Sequence, residues 1–408
     1  MLRWVFFIGG LLLVDLYAFQ TVRTLSKNRW LWLVYWLLSV GSILQLFYHL
    51  TQYDGSRGLQ PSQMFSIGLF IALFVPKLPM LMVLFGEDVY RLLRALAHCF
   101  SPAEERPFFA QRRAVISKLA LGMAALPFSA ILHGMFRGKY NYRIIEHTLY
   151  FDDLPPAFDG FTLTHISDIH SGSFDNASKI AHGIDLINAQ DADLILFTGD
   201  LVNNTADEME PWIPYFKKLR SRYGNYSVLG NHDYGDYIAW KSPEEKVANF
   251  EAIKAIHPKI GFQLLCNEHV FIDKDGQQLA LIGVENWGLR FKKAGDLSAA
   301  SKGLKKSDFK ILMSHDPSHW NAQVKDHQAH YQLTLSGHTH GMQFGIEIPG
   351  IQWSPVQYVY KQWAGIYTSF SRYLNVNRGF GFLAFPGRVG IWPEISVITL
   401  KRGAKGIF

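Results

Sequence analysis

Cysteine is scarce in this sequence. The 408 residues include two, Cys99 and Cys266, which lie far apart in stretches of different composition. A disulfide framework needs several pairs, and a cysteine-rich zinc site needs more than two cysteines, so the sequence excludes both. Because proteins on either side of a membrane can have so few cysteines, their number assigns no compartment.

Acidic side chains are scarce in the first third of the chain. Residues 1–143 carry 15 lysine and arginine side chains against 6 acidic ones, whereas the rest carries 25 against 28. The net charge of +6 therefore comes from the N-terminal part. Because binding to nucleic-acid phosphates depends on basic side chains, the balance of −3 over residues 144–408 argues against a nucleic-acid partner.

Long apolar segments, in contrast, are present in the N-terminal region, near residues 4–19, 30–49, 64–85 and 115–135. A helix of about 20 apolar residues crosses a bilayer, so residues 1–143 are predicted to form about four transmembrane helices. The third segment contains Pro76, Lys77 and Pro79, and either a kinked span or a re-entrant pair fits it. A buried bundle of a soluble protein is the alternative.

Basic residues around these segments predict the orientation of the chain. The first and third connections carry eight, and the opposite ends carry five (Arg23, Lys27, Arg29, Arg91, Arg94, Arg106, Arg112 and Arg113 against Arg3, Arg57, Arg137, Lys139 and Arg143). The positive-inside rule then places the region after residue 137 outside the cytoplasm, on the periplasmic side. The arginine pair in QRRAVISKLALGMAAL (111–126) resembles a twin-arginine export signal, although an ordinary positive flank explains it equally well.

From about Tyr150, short apolar runs alternate with polar, helix-like stretches, which is typical of layered α/β domains. Five of these runs end in carboxylate, imidazole or amide side chains: FTLTHISDIH, DLILFTGD, YSVLGNHD, FKILMSHD and YQLTLSGHTH. In open α/β sheets the ligand binds beyond the carboxyl ends of the strands. The five ends are therefore expected to meet at one site.

The side chains at these ends suit metal ions. Seven of them are candidate ligands and none is a thiol: Asp168, His170, Asp200, Asn231, His315, His338 and His340. Such a set suits divalent Mn, Fe or Zn. It is too large for one tetrahedral ion and fits two ions that share a carboxylate. Each motif alone is more often a turn, but five turns at five strand ends are a poor explanation of the whole set.

The order D-x-H, G-D, G-N-H-D, a single histidine after a strand and G-H-T-H-G resembles the calcineurin-like metallophosphoesterases over roughly residues 150–400. The membrane-anchored or twin-arginine-exported bacterial branch of that family is the most similar. The resemblance implies a four-layer α/β/β/α sandwich over residues 144–408, and a hydrolase that cleaves phosphomonoesters or phosphodiesters with water bridging two metal ions. Met342 departs from the family's G-H-T-H-G-G-Q pattern, which has a second glycine there.

The resemblance also implies roles for the metal ligands. One ion would be held by Asp168, His170 and His340, and the other by Asn231, His315 and His338, with Asp200 bridging them. Because residues i and i+2 of a strand point to the same face, His338 and His340 can bind different ions only from a loop. Gly337 and Gly341 are expected to separate the two side chains.

The histidine next to Asn231 has no ligand role in this scheme. His232 is expected to be catalytic, binding the phosphate oxygens or protonating the leaving oxygen. Asp233 would either orient His232 or stabilise the turn. Among the other histidines, His165 is expected to pack inside its strand, and His319, His327 and His330 to be solvated.

A membrane anchor favours a substrate that is itself in the membrane, such as a phospholipid, a lipid-linked sugar phosphate or a glycolipid precursor. Two alternatives remain at this stage: a nuclease-type or nucleotide phosphodiesterase of the same fold, and a non-catalytic membrane sensor with a degenerate domain. The complete ligand set argues against the sensor. The aromatic segment 351–367 is expected to be core and turn, with a lipid-facing rim as the alternative.

Overall fold

The computed structural model describes residues 2–56, 58–98 and 110–404. Arg57, Cys99 and Arg106 lie outside the described residues. The chain divides into two compact units, Met1–Gln52 with Ser62–Met135, and Tyr53–Pro61 with Phe136–Phe408. Residues 53–61 and 136–143, which the predicted division left in the membrane region, thus group with the second unit.

The first unit is helical. Its helices are α1 (Leu2–Leu25), α2 (Arg29–Thr51), α3 (Pro61–Phe74), α4 (Lys77–His98) and α5 (Ala110–Phe136). Within the described residues, four stretches are long and apolar enough to cross a membrane: Phe6–Leu25, Arg29–Thr51, Pro61–Ala97 and Arg112–Phe136. This confirms the prediction of about four spans. α3 and α4 share the third span, and helix α3 ends before Pro76 because proline has no backbone N–H and its ring clashes with the preceding turn.

A buried polar cluster joins three helices of this unit. Lys77 Nζ contacts the carboxylate of Asp15 and lies 2.6 Å from Ser39 Oγ. Ser39 Oγ donates to Asp15 Oδ1 at 2.6 Å, and Tyr35 Oη donates to the carbonyl of Asp15 at 2.9 Å. The two charges therefore neutralise each other inside the helical unit.

The second unit contains the strands and the remaining helices. In chain order the strands are β1 (Arg143–Phe151), β2 (Thr162–Ile166), β3 (Leu194–Phe197), β4 (Asn225–Ser227), β5 (Phe262–Leu264), β6 (Glu268–Lys274), β7 (Gln277–Gly283), β8 (Lys310–Met313), β9 (Leu333–Ser336), β10 (Ile346–Ile348), β11 (Ile351–Trp353), β12 (Gly365–Ser369), β13 (Arg372–Val376) and β14 (Glu394–Arg402). The helices are α6 (Ala177–Asn188), α7 (Ile213–Phe216), α8 (Pro243–Lys259) and α9 (Leu297–Ala300).

The strands of this part of the chain form two large mixed sheets and a small hairpin. One six-stranded sheet has the order β1-β14-β2-β3-β4-β5 and the other β12-β13-β9-β8-β7-β6, while β10 and β11 pair only with each other. Strands β2, β3 and β4 run parallel, and so do β8 and β9. Their carboxyl ends are therefore the edges where ligands bind in such sheets.

Three apolar cores separate four layers. The central core contains residues of both sheets, such as Leu163 and Leu196 from the first and Leu281 and Ile311 from the second. A second core packs α6, α7 and α8 on the outer face of the first sheet. A third packs α9 and the segment around Trp320 on the outer face of the second sheet. This is the four-layer α/β/β/α arrangement that the sequence predicted.

Candidate metal centre

The predicted site residues come together. Asp168 and His170 follow β2, Asp200 follows β3, and Asn231 and His232 follow β4. From the second sheet, His315 follows β8, and His338 and His340 follow β9. Because these loops leave neighbouring parallel strands of two packed sheets, they deliver their side chains to one region.

One group contains Asp168, His170 and His340, all of them buried. Their ligand atoms lie within 4.8 Å of one another, and His340 Nε2 is 3.2 Å from Asp168 Oδ1. Among the described residues, neither ring nitrogen of His170 has a hydrogen-bond partner, and His340 Nε2 has none either. A buried polar atom without a partner is costly, so these nitrogens are placed as ligands would be.

A second group contains Asp200, His315 and His338, whose ligand atoms also lie within 4.8 Å of one another. Asn231 belongs with them, because its Oδ1 is 2.8 Å from His338 Nδ1 and 3.2 Å from His315 Nε2. An amide oxygen, two imidazoles and a carboxylate thus face each other.

Asp200 contacts both groups. Its Oδ2 is 3.5 Å from His170 Nε2 in the first group and 3.1 Å from His315 Nε2 in the second. The same carboxylate oxygen therefore lies between the two groups, which is the position of a bridging ligand.

Hydrogen bonds fix which nitrogen of each histidine faces the centre. His315 donates from Nδ1 to the carbonyl of Thr198 at 2.7 Å, which leaves Nε2 for the centre. His338 Nε2 is 2.9 Å from Tyr360 Oη, which in turn donates to Asp316 Oδ2 at 3.3 Å, and this leaves Nδ1 for the centre. Such outer contacts orient metal-binding histidines in proteins.

The protonation states of the centre follow from burial and from its charges. Burial lowers the pKa of His170 and of His338, so both imidazoles are neutral. Burial also lowers the pKa of His315, but the Asp200 carboxylate outweighs it and raises that pKa to about 10. Burial raises the pKa of Asp200, and the neighbouring histidines, His315 first, hold it well below its usual range.

The donor set fits divalent ions. Neutral imidazoles, carboxylates and an amide oxygen suit Mn, Fe or Zn, and the unpartnered nitrogens of His170 and His340 lie where such an ion would bind. The proton that His315 shares with Asp200 would have to leave when an ion binds, since a histidine ligand must be deprotonated.

Two family models match the chain. One, described as "Probable Calcineurin-like phosphoesterase, transmembrane domain", matches residues 2–139, and the other, "Calcineurin-like phosphoesterase", matches residues 161–342. A metallophosphoesterase of Bacillus subtilis (strain 168), YkuE, is 32% identical over 261 residues, which are 63% of this chain and 84% of the relative. The chain belongs to the calcineurin-like metallophosphoesterase family. It is therefore a metal-dependent phosphoesterase with a transmembrane domain.

Two further relatives are similar to the chain at lower identity. A "Transmembrane protein with metallophosphoesterase domain" of Danio rerio is 26% identical over 68% of this chain and 62% of its own length. A metallophosphoesterase of Helicobacter pylori (strain ATCC 700392 / 26695) is 25% identical over 80% of this chain and 78% of its own length.

In this metallophosphoesterase, His232 lies at the rim of the centre. Its Nδ1 donates to the carbonyl of Asn203 at 2.8 Å, and its backbone N–H donates to Asp200 Oδ1 at 2.8 Å. Its second ring nitrogen therefore remains for the centre, where His232 forms a further potential ligand group with His170 and Asp200. Tyr237 covers the ring at a centroid distance of 4.4 Å.

Asp233 stabilises the turn. Its carboxylate accepts hydrogen bonds from the backbone N–H groups of Asp200 at 3.0 Å, Leu201 at 2.8 Å and Gly230 at 2.8 Å. These bonds tie the loop after β3 to the loop after β4. Asp233 was predicted either to orient His232 or to stabilise the turn, and these contacts support the second role.

The loop that carries His338 and His340 leaves the strand at Ser336. Gly337 is required there because an added Cβ would lie 1.9 Å from Ser167 Oγ and 2.2 Å from Asp168 Oδ2. Gly341 has a φ of +52°, which favours glycine. The two histidines accordingly point into different groups of the metallophosphoesterase centre.

The remaining histidine predictions have mixed outcomes. His165 is buried in β2 between Thr198 Oγ1 at 2.9 Å and Asn375 Nδ2 at 2.8 Å, as predicted. The prediction for His319 was wrong: it is fully buried, bonds to Ser314 Oγ at 2.8 Å and stacks on Trp287. The segment after β8 packs into the third core, which the polar sequence around His319 did not indicate.

The residues that support the ligands were not among the predicted site residues. Asp316 stands next to His315 at the end of the same run, and that adjacency was an available signal. No comparable sequence signal indicated Tyr360 or Arg388. Arg388 is fully buried, and its guanidinium lies 3.1 Å from His340 Nδ1 and donates from Nε to the carbonyl of Gly381 at 2.9 Å.

A cavity of about 720 Å³ lies beside the loops that follow β2 and β3. Its lining includes Ser171 and Gly172, which follow His170 in the chain, and Asn203, whose carbonyl accepts the hydrogen bond of His232 Nδ1. Another part of the wall is formed by the segment between α2 and α3, including Ser56, Gly58 and Leu59. This segment is part of the second compact unit, and Ala239 donates to the carbonyl of Gly55 at 2.6 Å.

Proposed function

We propose that this metallophosphoesterase binds two divalent ions and hydrolyses a phosphoester of a membrane lipid or a lipid-linked envelope precursor. The observation that carries the substrate class is one wall of the cavity beside the loops after β2 and β3. That wall is a short connection between α2, which ends at Thr51, and α3, which begins at Pro61. Because both helices belong to membrane spans, we expect their connection, and with it this wall of the cavity, to lie close to the bilayer surface.

The lining of the cavity supports an amphiphilic substrate. Apolar and aromatic side chains (Leu59, Phe174, Trp212, Trp240) alternate with polar ones (Ser56, Gln60, Asn203, Thr205). Such a mixture of apolar surface and a few polar groups is typical of small-molecule sites.

The charge of the lining disfavours a nuclease. Asp207, Glu208 and Glu245 line the cavity, whereas Lys241 is its basic residue among the described ones. Nucleic-acid binding requires basic contacts to successive phosphates, so a phosphodiesterase of this fold that acts on nucleic acid fits the cavity poorly.

The residues of the site would have two tasks: seven would hold the metal ions, and His232 would contact the substrate or transfer a proton. Asp168, His170 and His340 would hold one ion, and Asn231, His315 and His338 the other, with Asp200 between them. Divalent ions bound there would activate water and offset the charge of the phosphoryl oxygens. His232, held by Asn203 and Asp200, is positioned to contact the phosphate or to protonate the leaving oxygen.

The metal centre can be tested at its shared ligand. In Asp200→Asn the amide cannot provide the negative charge between the two groups, so we expect loss of bound metal and of phosphoester hydrolysis by a factor of roughly 10³ or more. Metal content by mass spectrometry and turnover of an aryl phosphodiester with added Mn measure both. Asp185→Asn on α6 is the control for an acidic residue outside the centre. An active, metal-free Asp200→Asn protein would contradict the scheme.

The substrate class requires a separate experiment. The purified full-length protein, with Mn added, is incubated with vesicles made from extracted envelope lipids, and the released phosphate or phosphorylated headgroup is identified. We expect turnover of at least one lipid class by the wild type and none by Asp200→Asn. Turnover of the aryl phosphodiester without turnover of any lipid would overturn the lipid substrate and leave the phosphoesterase activity intact.

A further inference from the structure

The hairpin of β10 and β11 has one apolar face. Its register places Ile346 opposite Trp353 and Ile348 opposite Ile351. Because side chains alternate along a strand, these four lie on the same face. The three isoleucines are 49%, 56% and 53% exposed. An isolated two-stranded hairpin with such a face is unusual in a protein surrounded by water.

The other face is polar and attached to the domain. Gln352 Nε2 donates to Glu347 Oε1 at 3.0 Å, and Glu347 forms an ion pair with Arg378. Arg378 also pairs with the buried Glu394. These contacts attach the polar face to the domain, and the isoleucines point to the other side. The tip, Pro349 and Gly350, has no charge and is exposed.

The base of the hairpin lies close to the point where the chain leaves the last membrane helix. Gly345 donates to the carbonyl of Val389 at 2.9 Å. Gly138, two residues after the end of α5, packs on the same segment, because a Cβ added there would lie 2.5 Å from the carbonyl oxygen of Arg388. Residues 388–389 thus contact both Gly138, which follows α5 in the chain, and the base of the hairpin.

We infer that the hairpin 346–353 inserts its apolar face into the interfacial layer of the bilayer, so that its partner is a lipid surface. The chain leaves α5 at Phe136, only two residues before Gly138, so the residue that contacts segment 388–389 closely follows a membrane span. Tyr358 is 78% exposed and accepts a hydrogen bond from Trp353 Nε1 at 3.5 Å. Tryptophan and tyrosine at the edge of an apolar surface are typical of membrane interfaces.

Insertion has a consequence for the metal centre. The loop that carries His338 and His340 continues through Met342, which is 53% exposed, directly into β10. A hairpin held in the interface therefore keeps the centre at the level of the lipid headgroups. This consequence rests on the proposed function, whereas the insertion itself does not.

The depth of the hairpin can be measured in the full-length protein reconstituted in vesicles. In a Cys99→Ser, Cys266→Ser background, an environment-sensitive fluorophore is attached to Ile348→Cys and, as the matched control on the polar face, to Gln352→Cys. With nitroxide-labelled acyl chains in the vesicles, we expect quenching at position 348 to be roughly threefold stronger or more than at position 352. Equal quenching at both positions would overturn the insertion.

A second copy of the chain is the other possible occupant of this face. Cross-linking of Ile348→Cys to itself in dilute reconstituted protein, without lipid quenching, would assign the face to a dimer and reject the inference.

The effect on turnover is a second readout. Ile348→Asp places a charge on the apolar face, and we expect it to lower turnover of a vesicle-borne phospholipid about tenfold while turnover of a soluble aryl phosphodiester is unchanged. Gln352→Lys, which places a charge on the polar face and keeps a donor for Glu347, should lower neither. An equal loss with both substrates would contradict an interfacial role. If the wild type cleaves no lipid, the proposed substrate fails, and the quenching experiment still decides the insertion.

Discussion

At the scale of single residues, the metal centre is held in unfavourable backbone conformations. Asp168, His170, Asp200, His338 and His340 have φ values between 49° and 70°, the left-handed region. For a residue with a Cβ such a conformation costs on the order of 1–3 kcal/mol. It persists here because the surrounding loops are tied together, for example by the bond from His338 N to Asp168 Oδ2 at 2.9 Å. Strain is therefore concentrated where the ligands must converge.

His232 is the residue whose role can be separated from metal binding. If it protonates the leaving oxygen, His232→Asn should leave both ions bound and lower kcat by roughly 10²–10⁴ for an alkyl phosphoester, whose leaving group needs a proton. For a p-nitrophenyl ester the loss should be much smaller, because that leaving group departs as a stable anion. Steady-state kinetics with both esters, together with metal analysis, measure the effect.

Each other outcome assigns a different role to His232. The same loss of kcat for both esters would indicate binding of the phosphate oxygens rather than proton transfer. Loss of metal would make His232 a ligand, as its grouping with His170 and Asp200 permits.

The seven ligand candidates could be predicted because each follows an apolar run, and the ends of parallel strands converge. The backbone conformation that directs these side chains to the centre could not be predicted, since the sequence around Asp168 or His340 does not indicate a positive φ. Tyr360 was also beyond prediction. It lies 22 residues from His338 along the chain, and its contact with that histidine exists only after folding.

At the scale of elements, Pro76 divides the third membrane span into α3 and α4. The sequence indicated the irregularity but not its consequence. The break places Lys77 at the start of α4, where it contacts Asp15 of α1 and Ser39 of α2. Charged side chains inside a membrane are costly unless they are paired, so the helices of the first unit are linked by this pair.

The pair should therefore be needed for stability of the helical unit. Asp15→Asn leaves the Lys77 ammonium buried without its counter-charge, and removing one partner of a buried ion pair costs about 3–5 kcal/mol. We expect a lower midpoint of thermal unfolding in detergent micelles. The double variant Asp15→Asn, Lys77→Met removes both charges and should recover most of the loss. Wild-type stability of the single variant would show that the pair does not hold the helices together.

The β10–β11 hairpin illustrates what a sequence pattern leaves open at this scale. Residues 351–367 were predicted to be core and turn or, alternatively, a lipid-facing rim. Val356, Trp363 and Ala364 are buried, whereas Ile351 and Tyr358 are exposed. Aromatic and apolar residues of the same kind therefore occur both in the core and on the exposed surface. The pairing of β10 with β11 determines which side chains are exposed.

At the scale of the whole molecule, the number of membrane crossings follows from one loop. Residues 53–61 fold with the unit that contains residues 136–408, and Ala239 bonds to Gly55 within it. The chain must therefore cross the membrane an even number of times between residues 61 and 136. One crossing by α3 and α4 together and one by α5 satisfies this, whereas a re-entrant pair would put the loop and the domain on opposite sides. Of the two alternatives for the third apolar segment, only the kinked span thus keeps residues 53–61 and the domain on the same side of the membrane.

The side on which this unit lies is a separate prediction. The excess of basic residues in the first and third connections places the second unit, including residues 53–61, outside the cytoplasm. In a background without cysteine, Ser56→Cys and Lys302→Cys, both at exposed positions of the second unit, should react with a membrane-impermeant maleimide on intact cells. Lys27→Cys, in the connection between α1 and α2, should react only after the cells are permeabilised. Reaction at position 27 alone would reverse the orientation. Reaction at only one of positions 56 and 302 would refute the even number of crossings, because both belong to one folded unit.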